Sequence, residues 1–250
     1  MELANESGQT ASANNYKLES EKVINAWVAQ ATGGGKLVAW NGVNVFSNLY
    51  GTANLRYTIV TQVLNSVFPY APEQIVKMVT AYKPCNDAAP TAGILRKGAT
   101  TQMQAVLNSL APEILQFTKI DEFANATGDK TVKAVSELAK VVRDKMDSGQ
   151  RVILSDLWSE LQAPPFGYYN TIACGIILGL VFSCYKNSAF SWTDSAQSTH
   201  ILDAATLKTM VQSMCKGALS SDYLSAGSVT FQNFRAYVKD IVHLTDAQVA

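Results

Sequence analysis

The side chains of this chain best suited to nucleophilic or metal chemistry are two histidines, His200 and His243, and four cysteines, Cys85, Cys174, Cys184 and Cys215. Their spacing argues against both uses. No two cysteines form a C-x-x-C pair, and neither histidine has a cysteine or carboxylate at metal-ligand spacing, so no zinc knuckle, metal or cofactor is expected. An activated thiol needs a nearby cation or helix N-terminus, and nothing local supplies one. The chain has no G-x-S-x-G elbow and no H-E-x-x-H. Gly33-Gly34-Gly35-Lys36 is followed by Leu37, and the G-x-x-x-x-G-K-[ST] spacing of a phosphate loop is not met. Asp121-Glu122 and Ser155-Asp156 read as helix-start residues. The chemistry-bearing residues thus point to a chain that is not itself an enzyme.

Composition bounds the remaining readings. Lys plus Arg equals Asp plus Glu, at 20 each in 250 residues. A balanced chain has no global attraction for nucleic acid or an anionic membrane. Hydrophobic residues make up 48% and charged residues 16%. The charged share is below the norm of about 25%, which suggests a surface covered by a protein partner or by the rest of a longer polypeptide. The first fifteen residues are polar and lack an apolar signal region. With free thiols this reads as a reducing, cytoplasmic setting. The apolar run Ile172–Tyr185 is shorter than the roughly twenty residues a bilayer needs, so no membrane is expected. Its Gly175 and Gly179 are spaced for close helix packing in a soluble core.

Periodicity supplies the elements. Residues 1–15 have nothing to bury and read as disorder or linker, which fits a piece of a longer protein. A helical domain is expected over residues 16–149. It opens with an amphipathic helix at Lys17–Ala31, striped by Leu18, Val23, Ile24, Trp27 and Val28. A short hairpin at Lys36–Phe46 turns at Asn41-Gly42, and a helix follows at Ala53–Phe68. Further helices are expected at Glu73–Tyr82, Thr100–Leu110, from Pro112, and at Thr131–Asp147. Lys83–Lys97, with Pro84, Pro90 and Gly93, reads as an irregular connection with room for a helical turn. Trp27, Trp40 and Trp158 read as core.

The densest signal is Leu154–Tyr185. Ser155 is read as the cap of a short amphipathic helix over Asp156–Gln162. Pro164-Pro165-Phe166-Gly167 forbids its continuation and forms a rigid elbow. Asn170 or Thr171 then caps a long apolar helix. Phe190–Trp192 and His200–Leu202 are two short strands of a ribbon, and Ala204–Gly217 is a helix capped by Asp203. Helix, turn, buried helix and ribbon make a winged-helix-turn-helix-like domain over residues 150–222, followed by a C-terminal helix in 223–250. The predicted fold class is mainly α with small β-elements.

These residues also resemble a known module. The stretch RVILSDLWSELQAPPFGYYNTIACGIILGLVF is similar to a region of the large P-loop ATPases of BREX-type phage-defence systems and their relatives. There, a helix ends in a PPYG-like turn and a strongly apolar helix follows. FSW…ILDAATLKTMV fits that family's ribbon and next helix, Phe68-Pro69-Tyr70-Ala71-Pro72 is similar to its upstream Y-x-x-AP segment, and Ala111-Pro112-Glu113 matches a further Pro-Glu position. The resemblance spans residues 37–215, and its most specific part is Pro164–Gly167. Phe166 stands where the family often has Tyr, and the ATPase core is absent. The resemblance implies an accessory interaction module that positions a partner or contacts nucleic acid for a motor located elsewhere. A structural or oligomerisation domain is the alternative.

A DNA-reading helix presents polar and basic side chains to the major groove. IACGIILGLVF does not, so contact with nucleic acid would be non-specific and made by other surfaces. The residues read as able to touch nucleic acid or a partner are Arg96 and Lys97 in their loop, Tyr168 and Tyr169 exposed at the helix start, and Trp192. Trp192 either packs under the ribbon or lies at an interface. The basic side of Thr131–Asp147 (Lys130, Lys133, Lys140, Arg143, Lys145) alternates with Glu137, Asp144 and Asp147 and reads as a solvated face.

Overall fold

The structure is a computed structural model, and it describes residues 10–31, 64–219, 221–227 and 241–242. The described residues are mainly helical and carry one small four-stranded antiparallel sheet. Backbone contacts divide the chain into two units, Met1–Val67 and Phe68–Ala250.

In the first unit α1 spans Thr10–Ala31. It starts inside the segment read as linker. Ala11 and Ala13 are strong helix formers there, and a helix can form without burying anything. Leu18, Val23 and Ile24, expected on a buried stripe, are exposed. Helical spacing aligns apolar side chains but does not provide a surface to cover them. The hairpin at Lys36–Phe46 and most of the helix at Ala53–Phe68 lie outside the described residues. So do the side chains of Trp27 and Trp40.

The second unit begins with α2 (Pro72–Ile75) and a 3-10 turn (Val79–Tyr82), where one helix had been expected over Glu73–Tyr82. Then come α3 (Ala88–Leu95), α4 (Thr101–Ser109), α5 (Pro112–Gln116), α6 (Ile120–Ala124) and α7 (Lys130–Asp147). Strand β1 (Val152–Ile153) leads into α8 (Leu154–Gln162), α9 (Ile172–Phe182) and a 3-10 turn (Ser183–Tyr185). Strands β2 (Phe190–Thr193) and β3 (Thr199–Ile201) precede α10 (Ala204–Cys215) and β4 (Tyr223–Ala226).

Short polar side chains start several of these helices. Thr100 Oγ1 accepts from Met103 N, Asp129 Oδ1 from Thr131 N and Val132 N, Thr171 Oγ1 from Cys174 N, and Asp203 Oδ1 from Thr206 N. Each satisfies a first-turn N–H that has no partner within the helix. Ser155 does not do this. The helix already begins at Leu154, whose N–H donates to Asp222 O instead. Gly149 and Gly217 follow α7 and α10 at φ of 70° and 66°.

Helix α9 is the axis of the unit, with every residue from Ile172 to Phe182 buried. The helix lying closest against it is α3, in the stretch expected to be irregular. Pro90 and Gly93 had marked that stretch as a connection. In the structure Pro90 sits in the first turn of α3, where a missing N–H costs nothing. Gly93 is a contact point: a Cβ built on it would stand 2.1 Å from Ile176 O and 2.6 Å from Leu180 N. Gly179 faces it reciprocally, with its Cβ position 2.4 Å from Pro90 O. Gly175 completes the seam, its Cβ position 2.5 Å from Cys85 Sγ and 3.2 Å from Ala89 Cβ. The two backbones therefore touch without intervening side chains.

The sheet order is β1-β4-β2-β3, antiparallel throughout. Val152, Leu224, Trp192 and His200 share one face through direct pairing, and the first three of them are buried. The opposite face carries Ile153, Tyr223, Ser191 and Ile201. Strand β4 was not expected, since residues 223–250 were read as a helix. It sits between β1 and the ribbon, where it receives hydrogen bonds from both sides. The buried residues of α3 to α7 and those of β1 to β4 join in one core. The boundary read at 149/150 falls inside the second unit, where α3, before it, packs on α9, after it.

Replacing Gly179 with Ala drives a methyl group into the Pro90 carbonyl. Overpacking of this kind costs about 1–3 kcal/mol, against the ~1 kcal/mol by which Ala favours a helix. Gly149→Ala meets nothing within 4 Å and bears only the left-handed backbone cost of ~1–2 kcal/mol. Urea denaturation of Phe68–Ala250 within the full chain is expected to show both variants destabilised, with local repacking around α9 (altered near-ultraviolet circular dichroism) in Gly179→Ala alone. An unchanged near-ultraviolet spectrum in Gly179→Ala would rule out the close crossing.

Candidate functional site

The elbow after α8 is built by its own backbone. Phe166 N and Gly167 N donate to Ala163 O at 3.1 and 3.2 Å, and Tyr168 N donates to Leu161 O at 2.8 Å. The Pro164–Pro165 peptide bond is cis, and Gly167 has φ of 66°. A Cβ on Gly167 would also lie 2.7 Å from Phe68 Cδ1, so glycine is required both for conformation and for space. Tyr70 N donates to Pro165 O at 3.1 Å, and the Tyr70 and Phe166 rings pack 5.7 Å apart. Phe166 is buried while Pro164 is exposed. The elbow is therefore a joint clamped by the Phe68–Tyr70 segment.

Most residues proposed for contact turn out to be engaged in this scaffold. Tyr168, expected to be exposed, is 1% exposed, and its hydroxyl has no hydrogen-bond partner. The tight turn at Gly167 points its ring inward against Phe166, with centroids 6.1 Å apart. Burial pushes its phenol well above the usual range. Tyr169, next in the chain, is 41% exposed; burial and a hydrogen bond with Glu73 push its phenol up too. Arg96 is not a free loop cation. It ends α3 in the left-handed region at φ 54°, and its Nη1 donates to Leu115 O at 3.1 Å and Nη2 to Ser183 Oγ at 3.5 Å. Lys97 is exposed.

Trp192 packs under the sheet. Its Nε1 donates to Asp222 Oδ2 at 3.1 Å, and its ring lies 5.2 Å from that of His200. His200 Nε2 in turn meets Asp194 Oδ2 at 2.8 Å. This carboxylate, six residues away in sequence, is brought to His200 by the β2–β3 hairpin. The His200 hydrogen bond, together with Ser198 N–H, holds the Asp194 carboxyl below its usual range. Among the described residues no hydroxyl or thiol is bonded to the other side of the pair, and the His–Asp contact ties the tip of the β2–β3 hairpin. The basic side of α7 is partly paired: Arg143 meets Asp144 at 3.2 Å, and Lys145 reaches Glu160 of α8 at 2.7 Å. Such half-exposed pairs contribute little.

The residues that spacing could not connect are Cys85 and Cys215. They lie far apart in sequence, yet each is the main neighbour acting on the other's thiol. Cys85 Sγ also meets the Asn86 carbonyl oxygen at 3.7 Å. Burial and the Cys85 side chain push the Cys215 thiol up. Cys174 is fully enclosed and pushed up to about 12 by burial. A cleft of about 410 Å³ between α8 and α10 is lined by Trp158, Gln162, Asn170, Cys215 and Lys216, among others. Asn170 also accepts from Cys85 N at 3.1 Å. Among the described residues, no cluster of three or more His, Cys, Asp or Glu side chains could hold a metal ion. No described helix is long and apolar enough to cross a membrane.

Comparison with family models, curated proteins and solved structures found no match to this chain.

An orphaned buried hydroxyl costs about 1–3 kcal/mol relative to a paired one. Tyr168→Phe keeps the ring and removes the orphan, so the variant is expected to be as stable as the parent or more stable in thermal denaturation. Trp192→Phe instead strands the buried Asp222 carboxylate and is expected to lose about 1–3 kcal/mol. A destabilised Tyr168→Phe would mean that its hydroxyl is bonded in solution.

Proposed function

We propose that this chain is a non-catalytic interaction module with a winged-helix-like half, positioning a protein partner for a P-loop motor in another domain or chain. The setting is the one implied by its resemblance to the ATPases of BREX-type phage defence. The observation that carries this reading is the clamp between Phe68–Tyr70 and Pro164–Gly167. Two separate segments bearing the resemblance are one joint in space, as expected if together they define the module. The element order α7, β1, α8, α9, β2, β3 also supports a winged-helix-like arrangement.

Burial of α9 decides how such a module would meet nucleic acid. A helix enclosed on every side cannot enter a major groove. Contact with DNA would therefore run through exposed cations such as Lys97 and be blind to sequence. The alternative reading, an oligomerisation domain, is favoured by the exposed Tyr16, Leu18, Val23 and Ile24 of α1.

Three measurements separate these readings. Co-expressed with a P-loop ATPase encoded beside it, the chain is expected to elute as a stoichiometric complex and to hydrolyse no ATP alone. Gel shifts with double- and single-stranded DNA are expected to show at most sequence-independent binding, fading as salt rises. Light scattering of the chain alone is expected to give a monomer. A stable homo-oligomer with no ATPase complex would transfer support to the alternative, and a sequence-specific shift that survives high salt would sink the buried-helix argument.

A further inference from the structure

The cleft of about 410 Å³ between α8 and α10 has the size of a small-molecule site. One wall is the face of α8 that carries Ser155, Trp158 and Gln162, at i, i+3 and i+7. The other is the end of α10, with Lys216 and, just beyond it, Leu219. Asn170, from the segment before α9, also lines it.

Trp158 marks this cleft as more than a surface depression. The residue is only 6% exposed, and a buried indole N–H usually finds a partner. Trp192 obeys that rule through Asp222. Trp158 Nε1 has no hydrogen-bond partner among the described residues. The fully enclosed orphans there are the Tyr168 and Tyr185 hydroxyls, and the Trp158 nitrogen is not one of them. It therefore keeps access to solvent, and the opening that Trp158 lines is the cleft.

The neighbouring polar groups are also unengaged. Asn170 Oδ1 accepts from Cys85 N at 3.1 Å, which leaves its NH2 group to give. The Gln162 amide and the Lys216 ammonium make no side-chain hydrogen bond or ion pair among the described residues. The end of α10 closes on itself: Lys216 N, Gly217 N and Ala218 N donate to Gln212 O, Met214 O and Ser213 O, so those carbonyls are not turned unpaired toward a ligand. An indole N–H and an ammonium can only donate. Among the described lining residues there is one cation and no carboxylate. Such a lining suits an acceptor that carries negative charge.

We propose that the cleft binds a small amphipathic organic anion. Its oxyanion head is bonded by the Trp158 N–H, the Asn170 NH2 and the Lys216 ammonium, and its apolar body lies against Leu219 and the rim of the indole. A carboxylate and a phosphate monoester share this chemistry. A neutral ligand leaves the ammonium without a counter-charge, and a cationic one is repelled. The site goes beyond the partner-positioning reading and does not depend on it.

The test follows the indole N–H signals of the full chain in proton–nitrogen correlation spectra while octanoate, phenyl phosphate or neutral 1-octanol is added. Trp158→Phe assigns its own signal by deletion, and Trp192, tied to Asp222, is the internal control. The Trp158 signal is expected to move downfield and to saturate with octanoate or with phenyl phosphate, and the stronger of the two identifies the head group. It is expected to stay in place with 1-octanol, and the Trp192 signal to stay in place throughout. Lys216 is exposed, and Lys216→Gln is expected to weaken binding about tenfold, the loss of one charge-assisted hydrogen bond, with an unchanged circular dichroism spectrum. No movement of Trp158 with either anion at millimolar concentration would overturn the proposal. So would an equal response to 1-octanol, or an affinity untouched by Lys216→Gln.

Discussion

The second unit depends on the glycine seam between α3 and α9. Gly93, Gly175 and Gly179 let two helical backbones touch, and a Cβ at any of them would collide with backbone or with the Cys85 sulfur. Glycine in a helix sacrifices about 1 kcal/mol relative to Ala. Close approach offsets this by enlarging the contact between the helices, since dispersion falls steeply with distance. With α3 laid flat on it, α9 is closed on all sides and becomes the rod around which α4, α7, α10 and the sheet assemble. Its Ile, Leu, Val and Phe side chains each stabilise the fold by about 1.5–3 kcal/mol when fully buried.

Enclosing α9 constrains the elements packed around it. The elbow must turn the chain sharply between α8 and the rod, and the Ala163, Gly167 and Tyr70 hydrogen bonds hold that turn. The same turn points Tyr168 inward and leaves Tyr169 outside. The end of α3 must also terminate against the rod, and Arg96 does this by reaching Leu115 O and Ser183 Oγ. Side chains that look available in a linear reading are thereby committed to the joint. Among the described residues, Lys97, Tyr169, Ile153 and Ile201 of the outer sheet face stay exposed, and a cleft opens by α10.

The seam also fixes where Cys85 sits. It lies against Gly175 because no side chain stands between the approach to α3 and the rod.

By itself the sequence determined the helical class, the Pro112 start of α5, the Asp203 cap, a cap at Asn170 or Thr171, the elbow, the short ribbon and the burial of Ile172–Phe182. Each is set by local chemistry: a cap hydroxyl or carboxylate, a proline, or an unbroken apolar run acts within a few residues. It also marked Gly175 and Gly179 as a packing seam, without naming the partner. Tertiary structure alone decided that the partner was α3, because Pro90 and Gly93 break a helix in isolation yet fit one that holds proline in its first turn and presses glycine on a neighbour. It alone placed β4 between β1 and β2, tied the Trp192 indole to Asp222, and set Cys85 against Gly175. Those contacts are made by distant residues whose meeting is enforced only by a shared core, and no periodicity along the chain encodes them.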